Sequence, residues 1–183
     1  MEEMDRDILT RASQGDMQAF EEVYKATSSF VYNVAYRVVN NREDALEVSQ
    51  DVFMSLYHKL KSFRFESSFK TWVYRITANS AINYAKKHAR NKALPYEEAF
   101  GEGAVDSDVH AKMEQEQQEE LVKNLLSELN PDQRACVVLR NIQGLSYEEI
   151  AASLNININT VRSRLKRARE KLLSLRKVVY EKV

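Results

Sequence analysis

The chain has 183 residues and a mass of 21.2 kDa, and its 27 Lys/Arg and 27 Asp/Glu cancel to a formal charge of zero. With 44% hydrophobic and 30% charged residues it is too apolar for wholesale disorder, and 4 Gly and 2 Pro give little punctuation for the many turns of an all-β fold. One cysteine, Cys136, excludes an internal disulfide framework and a multi-cysteine zinc site. No apolar run approaches membrane-spanning length, and the acidic stretch from Met1 to Asp7 is unlike the basic start of a signal peptide, so a soluble protein of a reducing compartment, the cytoplasm, is expected.

The zero net charge hides an asymmetry. Residues 1–90 carry 13 Lys/Arg against 12 Asp/Glu, residues 91–130 carry 3 against 10, and residues 131–183 carry 11 against 5. A basic tail fits either a polyanion, through release of counterions from phosphate, or a solvated helix face.

In chain order, a short leading helix around Ile8, Leu9 and Ala12 ends at Gly15, and Asp16 caps the next element. Phe20, Val23, Tyr24, Phe30, Val34 and Val38 then mark one face of an amphipathic helix that Thr27-Ser28-Ser29 could divide. Asn40-Asn41 makes a turn with Asn41 as cap. The following helix buries Ala45, Val48, Val52, Leu56 and Leu60 and shows a polar stripe of Glu47, Gln50, Asp51 and Met54. After a loop carrying Phe63 and Phe65, Ser67-Ser68 caps a third long helix, lined by Phe69, Trp72, Val73, Ile76 and Ser80. A second stripe of Asn79, Asn83, Lys87 and Arg90 turns it polar, then basic. Three or four such helices can bury a common core as a bundle.

Periodicity is lost over 91–112, which hold Pro95, Gly101 and Gly103 among five acidic residues. The segment reads as a flexible acidic linker. Helicity resumes near Met113 with Leu121, Val122, Leu125 and Leu129 as its buried stripe. Asn130-Pro131 restarts the chain as N-cap and N1, and Ala135, Val138, Leu139 and Ile142 face inward before Gly144 ends the helix. Cys136 falls inside this helix as a small core thiol.

The last segment carries a mechanism. Ser146-Tyr147-Glu148-Glu149 has the form of a capping box and opens a short helix through Ile150, Ala151 and Leu154. A turn at Asn155-Ile156-Asn157 leads into a helix from Ile158 to about Val178, whose Val161, Leu165, Ala168 and Leu172 must face inward. Arg162, Ser163, Lys166 and Arg167 then face outward, and five of the eight residues 162–169 are basic. A capped helix, a tight turn and a basic second helix make a helix-turn-helix, whose second helix fits the major groove.

The run from Ser146 to Ala151, followed by Asn159-Thr160-Val161-Arg162-Ser163-Arg164-Leu165-Lys166-Arg167-Ala168-Arg169, resembles region four of bacterial RNA polymerase sigma factors, in particular the small extracytoplasmic-function (ECF) class. Asp44 to Phe53 resembles the region-two helix that docks on the polymerase clamp, and Ser68 to Asn79 resembles the promoter-melting segment after it. The resemblance spans roughly 15–90 and 115–175. It departs from the family pattern at Leu46, where an acidic residue is usual, at Ser49, where an apolar one is, and at Asn159, where glycine is common.

The resemblance implies an all-α fold of two small helical domains, a region-two bundle at 1–90 and a region-four helix-turn-helix at 113–183, joined by the linker at 91–112. It implies a promoter-recognition subunit that binds core RNA polymerase, needs no cofactor and is restrained by an anti-sigma partner. Asp44, Glu47, Gln50, Asp51 and Met54 would meet the polymerase. Phe63, Lys70, Trp72, Tyr74, Asn79, Asn83 and Lys87 would hold the single-stranded minus-ten element, with Trp72 equally explained by core packing. Thr160, Arg162, Ser163, Lys166 and Arg167 would read the duplex minus-thirty-five element. An autonomous repressor would use the same helix-turn-helix but leaves the front-half polar stripes unexplained. For an enzyme, His58, His88 and His110 are scattered and no catalytic constellation is evident.

Overall fold

In a computed structural model, residues 4–91 and 109–180 are described, with side chains over 4–89 and 118–175. Among them the chain forms α1 (Arg6–Ser13), α2 (Met17–Val39), α3 (Arg42–Lys59), a 3-10 turn (Leu60–Ser62), α4 (Phe69–Asn91), α5 (Val109–Ser127), α6 (Pro131–Val137), a π-helical turn (Val138–Ile142), α7 (Tyr147–Leu154) and α8 (Ile158–Tyr180), with no strand. Residues 92–108, most of the expected linker, lie outside the described residues.

Local chemistry sets most of the boundaries. Asp16 Oδ1 accepts from the backbone N–H groups of Gln18 and Ala19 at the start of α2, and Asn41 Oδ1 from Asp44 at the start of α3. Asn130 with Gln133 and Ser146 with Glu149 close reciprocal capping boxes on α6 and α7. Between α2 and α3 the chain turns through Asn40 in the left-handed region (φ 63°), a conformation asparagine tolerates. Thr27-Ser28-Ser29 does not divide α2. Thr27 is fully buried and its hydroxyl donates to the Val23 carbonyl one turn back, so the helix absorbs the residue without breaking.

Helices α1 to α4 pack as the front bundle around Val23, Val34, Val38, Ala45, Val48, Val52, Leu56 and Val73, all at most 1% exposed. In the back half α6, α7 and α8 enclose Ala135, Cys136, Leu139, Ile150, Val161 and Ala168. Three expected core positions are exposed, Tyr24 of α2 at 49% among them. Leu121 on α5 is 60% exposed, its helix instead burying Leu126, with Leu129 covered just beyond its end. Ile142 is 41% exposed because the π-turn inserts a residue, so the stripe begun by Ala135 and Val138 rotates away before reaching it.

The two halves are in contact. Helix α4 packs against α2 and α3 and also against α6 and α7, so Tyr74, Thr77, Ala78 and Ala81 are buried in addition to the expected stripe. The buried side chains run on from one half to the other, but polar contacts cross the joint. Tyr74 OH donates to Gln143 Oε1 at 3.0 Å, Asn40 Nδ2 to the Lys123 carbonyl at 3.1 Å, and Lys86 pairs with Asp132 at 2.7 Å, a carboxylate that Arg164 of the back half also approaches at 3.0 Å. Arg134, at 9% exposure, is the most deeply placed of the charged groups at this joint. Its Nη1 donates to the Val38 carbonyl of α2 at 2.9 Å, and its Nη2 to the carbonyls of Leu129 at 2.9 Å and Ser127 at 3.3 Å. Among the described residues no carboxylate accompanies these bonds, and burial lowers its pKa from the ordinary arginine value.

Replacing Arg134 with Met leaves three carbonyls without a donor and is expected to cost on the order of 3 kcal/mol of stability. Urea unfolding measures this as a lower midpoint; an unchanged midpoint would mean that water satisfies those carbonyls as well.

Candidate nucleic-acid interface

In the back half, the turn between α7 and α8 is built by two asparagines. Asn155 adopts the left-handed conformation (φ 52°) as the C-cap of α7, and Asn157 Oδ1 accepts from the Asn159 backbone N–H at 2.8 Å to start α8. Val161 and Ala168 are fully buried and Leu165 nearly so, which fixes the rotation of the helix. Arg162, Ser163, Lys166 and Arg167 are consequently all exposed, with Thr160 half-buried at the edge of the same face. Arg162 Nη1 donates to Asn159 Oδ1 at 3.0 Å, which holds the guanidinium beside the helix start, and Lys166 lies a loose 3.8 Å from Glu170. Arg164 turns inward to Asp132 and is not part of this face. The result is a cationic helix surface with hydroxyl groups at its N-terminal end, suited to phosphates and base edges of a duplex.

The front half holds the second set. Phe63 is half-buried in an aromatic cluster, its ring centroid 4.8 Å from Phe65, 5.0 Å from Trp72 and 5.8 Å from Phe69. Phe65 is 40% exposed and sits at φ 56°, an unusual conformation for a bulky side chain. Trp72 belongs to the cluster yet remains half-exposed, so packing and surface presentation coexist there. Lys70 Nζ lies 6.0 Å over the ring of Tyr74. Tyr74 is only 2% exposed, packed edge-on against Phe30, and burial followed by the Glu149 charge pushes its hydroxyl up to about 12. In this arrangement Tyr74 offers no face to a base. Asn83 and Lys87 are exposed, and Asn79 is partly covered, its Nδ2 donating to the Ser153 carbonyl at 3.4 Å. Sequence reasoning missed Arg75. It stands one turn before Asn79 on the same line of α4, so the four-residue spacing of 79, 83 and 87 could have been extended backward to find it.

On α3, Glu47, Gln50, Asp51 and Met54 are exposed as expected, with Asp44 half-buried. Tyr84 of α4 directs its hydroxyl at Asp44 Oδ1 (2.9 Å) and Glu47 Oε2 (2.8 Å), and burial together with these carboxylates raises its pKa. The acidic stripe borders a groove of about 900 Å³ between α2 and α3, lined by Met17, Phe20, Tyr24, Phe53 and Tyr57 among others. Leu46 and Ser49 both line it, Leu46 with 56% exposure, so two of the three departures from the family pattern fall at one apolar surface. A second apolar groove, about 940 Å³, opens between α5, the π-turn and α8, with Leu121 and Leu173 exposed at its edge. Exposed apolar surface on this scale marks an interaction site.

Among the described residues no helix is long and apolar enough to cross a membrane. The family description "Sigma-70 region 2" matches residues 23–91 and "Sigma-70, region 4" matches residues 119–172. The chain is 35% identical over 176 residues to the ECF RNA polymerase sigma-E factor of Haemophilus influenzae, covering 91% of this chain and 92% of that protein. Two solved structures are similar in fold. One is CnrH in complex with the cytosolic domain of CnrY (TM-score 0.67, 25% identity, 95% of this chain and 97% of that one). The other is the sigma factor RpoE in complex with the anti-sigma factor NepR from Bartonella quintana (TM-score 0.64, 26% identity, 87% and 97%). With both sigma regions in order and a relative matched over nearly its whole length, the chain belongs to the ECF family of RNA polymerase sigma factors.

Proposed function

We propose that this sigma factor divides its work among three surfaces and two domains, the front at 1–90 and the back at 113–183. The exposed face of α8 supports duplex reading of the minus-thirty-five element, with Arg162, Lys166 and Arg167 reaching guanine edges or phosphates and Thr160 and Ser163 adding hydroxyl contacts. The single observation that carries this is the inward turn of Val161, Leu165 and Ala168, which leaves those side chains together on one outward face. Each good base contact contributes roughly 1–3 kcal/mol of discrimination.

The aromatic cluster at Phe63, Phe65 and Trp72, with Lys70, Asn79, Asn83 and Lys87, supports capture of the melted minus-ten strand. Bases stack on aromatic faces, amides read exposed edges and cations hold the backbone. Tyr74 would take part only in an arrangement that uncovers it. The stripe of Asp44, Glu47, Gln50, Asp51 and Met54, beside the α2–α3 groove, supports docking on core polymerase, where acidic side chains steer and apolar ones bury area. We place this work in the cytoplasm, as initiation rather than catalysis. An anti-sigma partner restrains it, a role suggested by the complex that the RpoE neighbour forms with NepR.

Two substitutions separate the surfaces. Arg162→Ala with Arg167→Ala should abolish run-off transcription from a dependent promoter while co-purification with core polymerase is retained; loss of both would remove α8 from the duplex-reading role. Glu47→Lys with Asp51→Lys should do the reverse, weakening assembly with core by at least about tenfold while the helical circular dichroism is kept. Undiminished holoenzyme formation by that variant would exclude the α3 stripe.

A further inference from the structure

The loop at 63–68 joins the 3-10 turn to α4 and carries Phe65 at φ 56°. Its two ends are fastened. The Phe63 backbone N–H donates to the Leu60 carbonyl at 3.0 Å, and Ser68 Oγ accepts from the Thr71 backbone N–H at 3.1 Å as α4 begins. Its middle is not. Among the described residues no backbone-to-backbone hydrogen bond ties down residues 64–67. A left-handed backbone is unfavourable for a bulky side chain, so what keeps Phe65 there has to act on its ring. Phe63 meets that ring at 4.8 Å between centroids, and the Arg6 guanidinium stands 5.2 Å over its face. The ring is still 40% exposed, which leaves surface for a further stacking partner.

Arg6 opens α1, and α1 is firmly placed. Leu9 and Ala12 are buried, the helix packs on both α2 and the 3-10 turn, and Arg11 reaches Asp16 Oδ2 with Nε at 2.9 Å and Nη2 at 2.7 Å. Arg6 is itself exposed, so its guanidinium is held at the ring by attraction to the π face rather than by enclosure. Helix α1 also precedes the residues matched to sigma region 2, so this contact is an addition to that module from outside it.

We infer that Arg6 is a positioning residue for the minus-ten strand. From α1 it holds Phe65 in the left-handed conformation that keeps the ring beside Phe63 and Trp72, and so sets where a base of the opened strand can stack. This rests on the reading of that aromatic cluster as the strand-binding platform. Arg6 acts through Phe65 and not through the duplex or the polymerase. The backbone conformation opposes the contact, so the two are close to balance. Without the guanidinium the ring is in place in only a minority of molecules, and the apparent affinity for the strand falls with that fraction.

The test uses holoenzyme assembled with core polymerase and a fork-junction promoter DNA whose non-template minus-ten strand is unpaired. A duplex ending upstream of that element is the control. Arg6→Ala is expected to weaken fork binding about threefold to fivefold, the range of an exposed cation–π contact, with upstream-duplex binding and co-purification with core unchanged. Phe65→Ala should weaken fork binding at least as much, and adding Arg6→Ala to it should cause no further loss. Both positions are exposed, and retained co-purification shows that the variants are folded. Undiminished fork binding by Arg6→Ala would overturn the inference. So would a further loss in the double variant, a Phe65→Ala chain that binds as the parent does, or an equal loss on the upstream duplex. Asn83→Ala with Lys87→Ala, exposed positions on α4, shows which reading has failed. If that pair weakens fork binding and Arg6→Ala does not, only the role of Arg6 is discarded. If neither does, the strand-binding surface is discarded with it.

Discussion

The joint between the halves turns on one buried guanidinium. Arg134 reaches out of α6 to the last turn of α2 and at the same time ties down the carbonyls that end α5. Because its acceptors are backbone atoms, the bond fixes the position of whole helices rather than of single side chains. A buried charge satisfied only by neutral dipoles is less favourable than an ion pair of good geometry, yet costly to leave with no partner at all. The front bundle and the back helices are thereby held in register by a contact that is specific without being strongly stabilising. Inter-domain surfaces of this polar kind are the ones from which relative motion is expected.

Helix α4 is the element that packs against both halves. It contributes Val73 and Ile76 to the front core, Tyr84 to the acidic stripe of α3, Trp72 to the aromatic cluster, and Arg75 and Asn79 to α7. One helix thus couples the polymerase-facing surface, the aromatic platform and the back half. Moving any neighbour changes what α4 presents, which gives an initiation factor a direct physical link between docking and access to DNA.

Most of the helical layout was legible in the sequence because each helix announces itself with a cap and a stripe. Asp16, Asn41, Asn130, Ser146 and the Asn155–Asn157 turn all mark boundaries where the structure has them, and the α3 and α8 stripes face inward as their spacing requires. The misses arise where tertiary contact or backbone irregularity changes burial in ways that a single-helix pattern does not encode. Tyr74 reads as an aromatic beside a polar stripe but is covered by the other half of the chain, and Leu121 reads as core but borders an open groove. The π-turn at 138–142 has no simple signature, so Ile142 was carried along a stripe that the backbone had already left. The α8 face was legible residue by residue because its burial is set locally. The position of Arg75 follows from the spacing of 79, 83 and 87, but its contact with α7, 77 residues further along the chain, does not.

The hydroxyl of Tyr84 stands within hydrogen-bond distance of two carboxylates, yet a phenol carries a single hydrogen. At any instant it serves Asp44 or Glu47, leaving the other oxygen bare. The raised pKa keeps that hydrogen on the phenol, so the donor is retained. An arriving lysine or arginine therefore always meets one acceptor that needs no desolvating exchange with the phenol, while the occupied one stays fixed in orientation. The surface of α3 thus keeps a solvent-facing carboxylate oxygen to which a cation from outside can bind.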